Sequence, residues 1–310
     1  MFGRQVAIGH PGGMRADSRF LDLSPVFWAN VKTISQSLGY TSRRGKNSDG
    51  GIKVHTREQI ISGYEKLGLS ADHLFEADGS ATEMGALLLA YFEHRAHVLN
   101  TVAEPNLMDQ DAARAEYERL LPLAPTAHAT TMNKQKGAKA KPAMLTEMVN
   151  ILFGLNLGEF DSNPMQLTTI TKDKLPVRTL SRRVDGAYPA VVNPVAIWEI
   201  KEYYYTTTFG SRVADGVYET MLDGMELEEL RASAGIDVKH FLIVDSHYTW
   251  WVMGRSYLCR IVDLLHQGLV DEVLFGKEVL TRVPEIAKEI QALSQPKAPE
   301  SEDDLEDPHE

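Results

Sequence analysis

The sequence predicts an α/β core preceded by a mainly helical region. Three observations lead there. Helix-start chemistry recurs through the first 121 residues, short β-prone runs take over between 166 and 205, and a helical stretch then leads to the apolar run His240-Phe241-Leu242-Ile243-Val244. Helix, three strands, helix, strand is the order of an α/β layer structure.

Taken in chain order, Ser24-Pro25 reads as N-cap and first turn of a helix that carries Val26, Phe27, Val31, Ile34 and Leu38 before Gly39 stops it. Thr56 and Gln59 have capping-box spacing ahead of Ile60, Ile61, Tyr64 and Leu67. Further helices are expected over 81–99 and 109–121. Residues 70–75 would add a second helix to 56–67, in the manner of a helix-turn-helix. The lysine-rich stretch 134–142 marks a boundary. Beyond it, Met144, Leu145, Met148, Val149, Ile151 and Leu152 keep helical spacing as far as Gly154, with Glu147 among them. Strand-like runs cover 166–170, 177–184 and 195–205, a helix 213–231, strands 240–244 and 248–252, and a last helix carries Leu258, Ile261, Val262 and Leu265. Three segments follow: 1–133, mainly helical; 134–293, the core; and 294–310, an acidic tail.

Charge and composition exclude several classes. The 310 residues carry a net charge of −11, and seven acids against Lys297 beyond Ser294 account for more than half of it. That tail holds three prolines and almost nothing apolar, so it lacks the surface to fold and is expected to be disordered. No apolar run approaches the roughly 18 residues of a membrane span. The start, Met1-Phe2-Gly3-Arg4-Gln5, has no secretory pattern, which places the expectation in the cytoplasm. A single cysteine, Cys259, gives neither a disulfide nor a thiolate zinc site. Phosphate loops of the Walker type, Gly-x-Ser-x-Gly elbows and His-Glu-x-x-His helices do not occur.

Chemistry concentrates in Arg182-Arg183-Val184-Asp185-Gly186 and Val195-Ala196-Ile197-Trp198-Glu199-Ile200-Lys201. Strand side chains alternate, so Glu199 and Lys201 share a face while Trp198 and Ile200 take the other. With Asp185 from a neighbouring strand, two carboxylates could hold a divalent cation and the lysine could act on a water or on developing phosphate charge. A second acid-x-Lys triplet, Asp237-Val238-Lys239, precedes its strand and reads as a surface turn. The competing account of Glu199 and Lys201 is an edge-strand salt bridge, but charges are costly in an apolar β-prone run unless they serve a purpose. Tyr203-Tyr204-Tyr205 reads as packing, and His247 as structural or a nucleic-acid contact. Basic residues gather in Arg43, Arg44 and Lys46, in Lys134, Lys136, Lys139 and Lys141, and in Arg178, Arg182 and Arg183 around Asp185. Phosphates and base edges would be their targets.

A helix with Glu147, a hairpin with Asp185, a strand with Glu199-x-Lys201 and a following helix resemble the PD-(D/E)XK nuclease superfamily over 144–245. Val184 stands where that family often has proline, and no Gln-x-x-x-Tyr motif follows the lysine. The resemblance implies a restriction-endonuclease-like core, a central mixed sheet flanked by helices. It implies Mg²⁺, with Mn²⁺ able to substitute, held by Asp185, Glu199 and Glu147, with Lys201 assisting the attacking water. Double-stranded DNA would be the substrate, bound through Arg43, Arg44, Lys46, Lys134, Lys136, Lys139, Arg182 and Arg183. The expected activity is that of a type II restriction endonuclease acting as a homodimer, with a cognate DNA methyltransferase in the same system. A repair or anti-phage nuclease without fixed sequence specificity is the nearest alternative, and a non-catalytic DNA-binding protein the alternative of another class.

Overall fold

The computed structural model describes residues 12–42, 50–125, 128–133, 136–205 and 211–294. The loop bearing Arg43, Arg44 and Lys46, Lys134 itself, and the tail from 295 onwards lie outside them.

Local chemistry starts the N-terminal helices where the sequence places them. The Ser24 hydroxyl accepts from the Phe27 N–H ahead of α1 (Pro25–Leu38), and Gly39, at φ 86°, ends that helix. Thr56 and Gln59 form their reciprocal capping box on α2 (Arg57–Lys66), and Thr82 caps α3 (Glu83–Val98). Between α1 and α2, β1 (Thr41–Ser42) and β2 (Gly51–Ile52) form a two-stranded ribbon. Phe27, Trp28, Val31 and Ile34 of α1 bury against Ile60, Tyr64, Leu88, Tyr91 and Phe92. Residues 70–75 do not make the expected second helix of a helix-turn-helix. The Ser70 hydroxyl accepts from the Asp72 N–H, and the chain turns tightly into a bridge between Phe75 and Ala81.

A π-helical turn over Leu99–Ala103 continues α3 into the single turn α4 (Glu104–Asn106). Asp109 then caps α5 (Gln110–Leu120). Although the sequence pattern groups it with the N-terminal helices, α5 buries Ala113, Tyr117 and Leu120 in one cluster with α6 (Met144–Leu157). After α6 come a hairpin, β3 (Thr169–Lys172) and β4 (Leu175–Thr179), turning through Asp173 and Lys174 at φ 51° and 67°, and then β5 (Gly186–Tyr188) and β6 (Ala196–Lys201). The rest alternates: α7 (Ser211–Ala234), β7 (Lys239–Val244), α8 (Arg255–His266), β8 (Glu272–Phe275) and α9 (Val279–Ser294). The sequence reading assigns no element to 272–294.

The central sheet runs β5-β6-β7-β8, with β5 antiparallel to β6 and the other pairs parallel. It is a mixed sheet covered on both sides. Trp198, Ile200, Phe241, Ile243 and Leu274 point to α6 and α9. Leu242, Val244, Val273 and Phe275 face α8, and Ile197 faces Leu227 and Leu230 of α7. Burial on both faces explains why β7 is apolar from Phe241 to Val244 rather than alternating. Met14 exchanges backbone hydrogen bonds with Val273 at 2.7 and 2.9 Å, so the N-terminal stretch covers the β8 edge.

One expected strand is shortened and another is absent. The run 177–184 stays in β4 as far as Thr179, its Leu180 N–H still donating to the Thr168 carbonyl at 2.9 Å, before Arg182 enters ion pairs with Glu199 and Asp223. Residues 248–252 form a π-helical turn, His247–Met253, whose start the Ser246 hydroxyl caps on the Thr249 N–H while Asp245 accepts from Trp250 Nε1 at 3.0 Å.

The helical region joins the sheet layer through α3 and α8. Asp263 accepts from the Tyr91 hydroxyl at 2.6 Å and from Arg95 Nη1 at 3.0 Å, with all three residues buried. Removing one partner of such a pair strands a charge away from water. Asp263→Ala is therefore expected to lower the unfolding free energy by about 3–5 kcal/mol. A shift in the urea midpoint corresponding to less than about 1 kcal/mol would show that Arg95 finds another partner.

Candidate active site

Asp185 lies directly ahead of β5, beside the Glu199 end of β6. The β5/β6 register begins with Gly186 opposite Trp198, and Asp185 precedes it. The Asp185 N–H donates to the Trp198 carbonyl at 3.1 Å, and Asp185 Oδ2 accepts from the Ile200 N–H at 2.8 Å. Gly186 is required here, since a Cβ would lie 2.1 Å from the Trp198 indole, whose ring covers the strand at that point. Glu199 is fully buried and Lys201 is 7% exposed, with Lys201 Nζ 2.8 Å from Glu199 Oε2.

Helix α7 completes the cluster with two acids that the sequence reading did not select. Glu219 Oε2 accepts from Lys201 Nζ at 2.8 Å, and Asp223 Oδ2 accepts from Arg182 Nη1 at 2.6 Å. Arg182 Nη1 also stands 2.7 Å from Glu199 Oε1, as an ion pair without hydrogen-bond alignment. Gly216 lets α7 approach this closely: a Cβ there would meet the Tyr203 hydroxyl at 3.0 Å and Lys201 Cδ at 3.2 Å. The signal for Asp223 was available. It lies in the inward stripe of α7, among Val213, Val217, Thr220, Leu227 and Leu230, where an acid needs a partner.

Four carboxylates, Asp185, Glu199, Glu219 and Asp223, thus surround two cations, Arg182 and Lys201. Burial and the neighbouring Glu199 charge push the Asp185 carboxyl up to about 6, and the same two causes push Asp223 to about 7. For Glu199, burial acts upward, but Lys201 and Arg182 outweigh it and hold the group below the usual glutamate range. Lys201 is desolvated, yet Glu199 and Asp185 keep it charged well past the ordinary lysine range. Asp185 and Glu199 are the two carboxylates here that could hold a divalent cation. The Glu199 charge raises the cost of ionising Asp185, Arg182 stands 2.7 Å from Glu199 Oε1, and Asp223 Oδ1 is buried without a hydrogen bond. Among the described residues no three His, Cys, Asp or Glu side chains converge on one point. Two carboxylates with water and backbone oxygens are enough for Mg²⁺, which keeps several waters.

The other expected site residues are placed differently. Glu147 is not brought to this cluster. It is fully buried on α6, which packs on the Trp198 face, and its carboxylate is taken up by the Thr131 N–H at 2.6 Å and His128 Nε2 at 2.8 Å. Arg182, expected on DNA, is held in the acid cluster because Glu199 and Asp223 need its charge. Arg183 is exposed beside the Met165 sulfur at 3.7 Å, and Lys136 and Lys139 are exposed. Lys239, from the second triplet, pairs with Asp237 and Asp271 at the far end of the sheet. Tyr204 is packed in the core, and His247 stands 3.7 Å from Glu104.

Residues 108–290 match the model of a family described as Domain of unknown function (DUF7687). The chain belongs to that family. Residues 14–102 match a second model, Domain of unknown function (DUF7690). No curated protein and no solved structure matches the chain. The DUF7687 segment contains α5, the whole sheet and every residue of the acid cluster, while the DUF7690 match ends within the π-helical turn after α3.

One more acid bears on the site's frame within the DUF7687 segment. Asp245, buried at the end of β7, accepts from the Tyr203 N–H and so holds the chain leaving β6. Burial pushes its carboxyl up to about 8. The folded protein keeps this proton where an unfolded aspartate, at about 4, has lost it. Its contribution to stability is full below about pH 4 and fades as the pH rises towards 8. Asp245→Asn cannot ionise and should lose less stability than wild type between pH 6 and 8. Equal slopes of urea midpoint against pH in the two proteins would rule out a protonated Asp245.

Proposed function

We propose that this DUF7687 protein is a Mg²⁺-dependent DNA endonuclease with a restriction-endonuclease-like core, using Asp185, Glu199 and Lys201. The observation that carries the reading is Asp185 bonded to β6 on either side of Glu199, at the Trp198 carbonyl and the Ile200 N–H, with Lys201 on the face of Glu199 and paired to it. The order α6, β3–β4 hairpin, β5, β6, α7, β7 supports it in outline: the helix, hairpin, Glu-x-Lys strand and helix of the PD-(D/E)XK resemblance recur, with Asp185 at the head of β5 rather than in the hairpin. Asp185 and Glu199 would hold the cation, which supplies Lewis acidity to a phosphoryl oxygen and a lowered pKa to a bound water. Glu199 arrives ionised, as a ligand must be. Asp185 releases its proton near neutrality, so the site accepts cation more readily above about pH 6 than below it. Lys201 stays protonated, which suits stabilising charge on the phosphate and orienting the nucleophile rather than abstracting a proton. A sequence-specific double-strand cutter working as a homodimer is the finer form of the proposal.

Single-turnover cleavage of a plasmid tests it. Wild type is expected to cut with Mg²⁺ or Mn²⁺ and to stop in excess EDTA, with discrete bands for a sequence-specific enzyme and a smear for one without fixed sites. Asp185→Ala should lose metal binding in calorimetry together with cleavage. Lys201→Ala should keep metal and slow the chemical step by roughly 10²-fold or more. Lys239→Ala, at the opposite end of β7, should cut normally. Cleavage by Lys201→Ala at the wild-type rate, or cleavage that survives EDTA, sinks the assignment.

A further inference from the structure

We infer that the lysine-bearing arm ahead of α6 clamps the phosphate backbone of a nucleic-acid duplex, and that Glu147 is the positioning residue that holds this arm over the site. The inference rests on the nuclease reading for what the clamp serves. It rests on independent geometry for how the clamp is built.

The arm has two limbs, 129–133 and 136–143, tied to each other at the base. The Asn133 N–H donates to the Lys141 carbonyl at 2.9 Å, the Ala143 N–H donates to the Thr131 carbonyl at 2.9 Å, and Met132 bridges Pro142. Lys136, Lys139 and Lys141 project from it, all exposed, and none forms an ion pair among the described residues. From 128 to 146 the sequence holds no acid at all, in a chain whose net charge is −11. Such a local reversal of sign, with no carboxylate to satisfy it, suits a polyanion with closely spaced charges.

Placement points the same way. Helix α6 begins directly after the arm, and the Thr146 N–H and hydroxyl both donate to Glu202 Oε2 at 3.0 Å. Glu202 follows Lys201. Lys141 Nζ lies 5.4 Å from the centre of the Tyr205 ring, four residues past Lys201. The arm therefore leaves the protein at the end of β6 that carries the acid cluster, so a backbone passing the cluster would pass the lysines.

Glu147 explains how a segment of like charges stays put. One of its oxygens accepts from the Thr131 N–H in the first limb and the other pairs with His128 just ahead of it, and Asn150 one turn on reaches Thr131 Oγ1 at 3.3 Å. A fully buried carboxylate used in this way anchors the arm's base, on the Trp198 face of the sheet rather than beside Asp185 and Glu199.

The test measures binding of a fluorescent 30-base-pair duplex by anisotropy in Ca²⁺ across a salt series, with calorimetric Mg²⁺ titration and plasmid cleavage alongside. The triple variant K136Q/K139Q/K141Q should bind roughly tenfold or more weakly, and its salt slope should flatten by about 2–3, close to one per lost phosphate contact. Glu147→Ala should weaken binding similarly with Mg²⁺ affinity unchanged. Glu147→Gln keeps an acceptor for the Thr131 N–H and should recover most of the affinity. Loss of Mg²⁺ affinity in Glu147→Gln would make Glu147 a metal ligand after all. An unchanged salt slope in the triple variant, or a wild type that binds no duplex, would overturn the clamp. A wild type that binds with the expected slope and never cuts would overturn the nuclease reading and leave the clamp standing.

Discussion

The buried charge on the face of β6 is the constraint that organises this half of the molecule. Glu199 and Lys201 lie in a strand whose six residues are all buried, and neither could remain ionised there alone. Their neighbours are chosen accordingly. Arg182 beyond the end of β4 reaches Glu199, α7 brings Glu219 and Asp223 to Lys201 and Arg182, and Gly216 removes the side chain that would keep α7 away. A purely structural sheet would have placed valine and isoleucine here at no such cost. Instead, one helix face, one loop and one strand are committed to satisfying charges that folding alone does not need.

The two sides of the sheet are accordingly specialised. The α6/α9 side is a close-packed apolar layer, in which Trp198 stacks on Phe153 with ring centres 4.4 Å apart. The α7/α8 side carries the acid cluster near α7 and, farther along, the Arg95–Asp263–Tyr91 group that receives the helical region. Polar burial on this side thus does two jobs. One attaches the DUF7690 segment, and the other gathers the acid cluster around Arg182 and Lys201.

How much of this was legible in the sequence depends on whether the deciding interaction is local. Helix starts at Ser24 and Thr56 could be read because a cap bonds to a backbone group three residues away. The shared face of Glu199 and Lys201 could be read because alternation is a property of any strand. Residues 248–252 misled because their β-prone aromatics are overruled by Asp245, which draws Trp250 back into a helical turn. Glu147 and Arg182 misled for a different reason. The resemblance alone sets Glu147 beside the metal and nearness in sequence to Asp185 sets Arg182 on DNA, whereas the place of each is decided by partners on separate elements: His128 and Thr131 for one, Asp223 for the other. Glu219 and Asp223 were within reach of helical-face reasoning and were missed by attending to strands alone.

The N-terminal stretch that closes the β8 edge has a consequence for assembly in time. Arg15 and Glu272 are 257 residues apart, and their ion pair flanks the backbone bridge between Met14 and Val273. As the chain leaves the ribosome the helical region can collapse early from local contacts, but its first strap has nothing to close on until the last strand of the sheet has emerged. For that interval the strap is held by nothing on the sheet, and β8, once exposed, has one open edge. A chaperone binding residues 12–20, or a second nascent chain offering its own strap, would find the β8 edge and its strap both open at this stage.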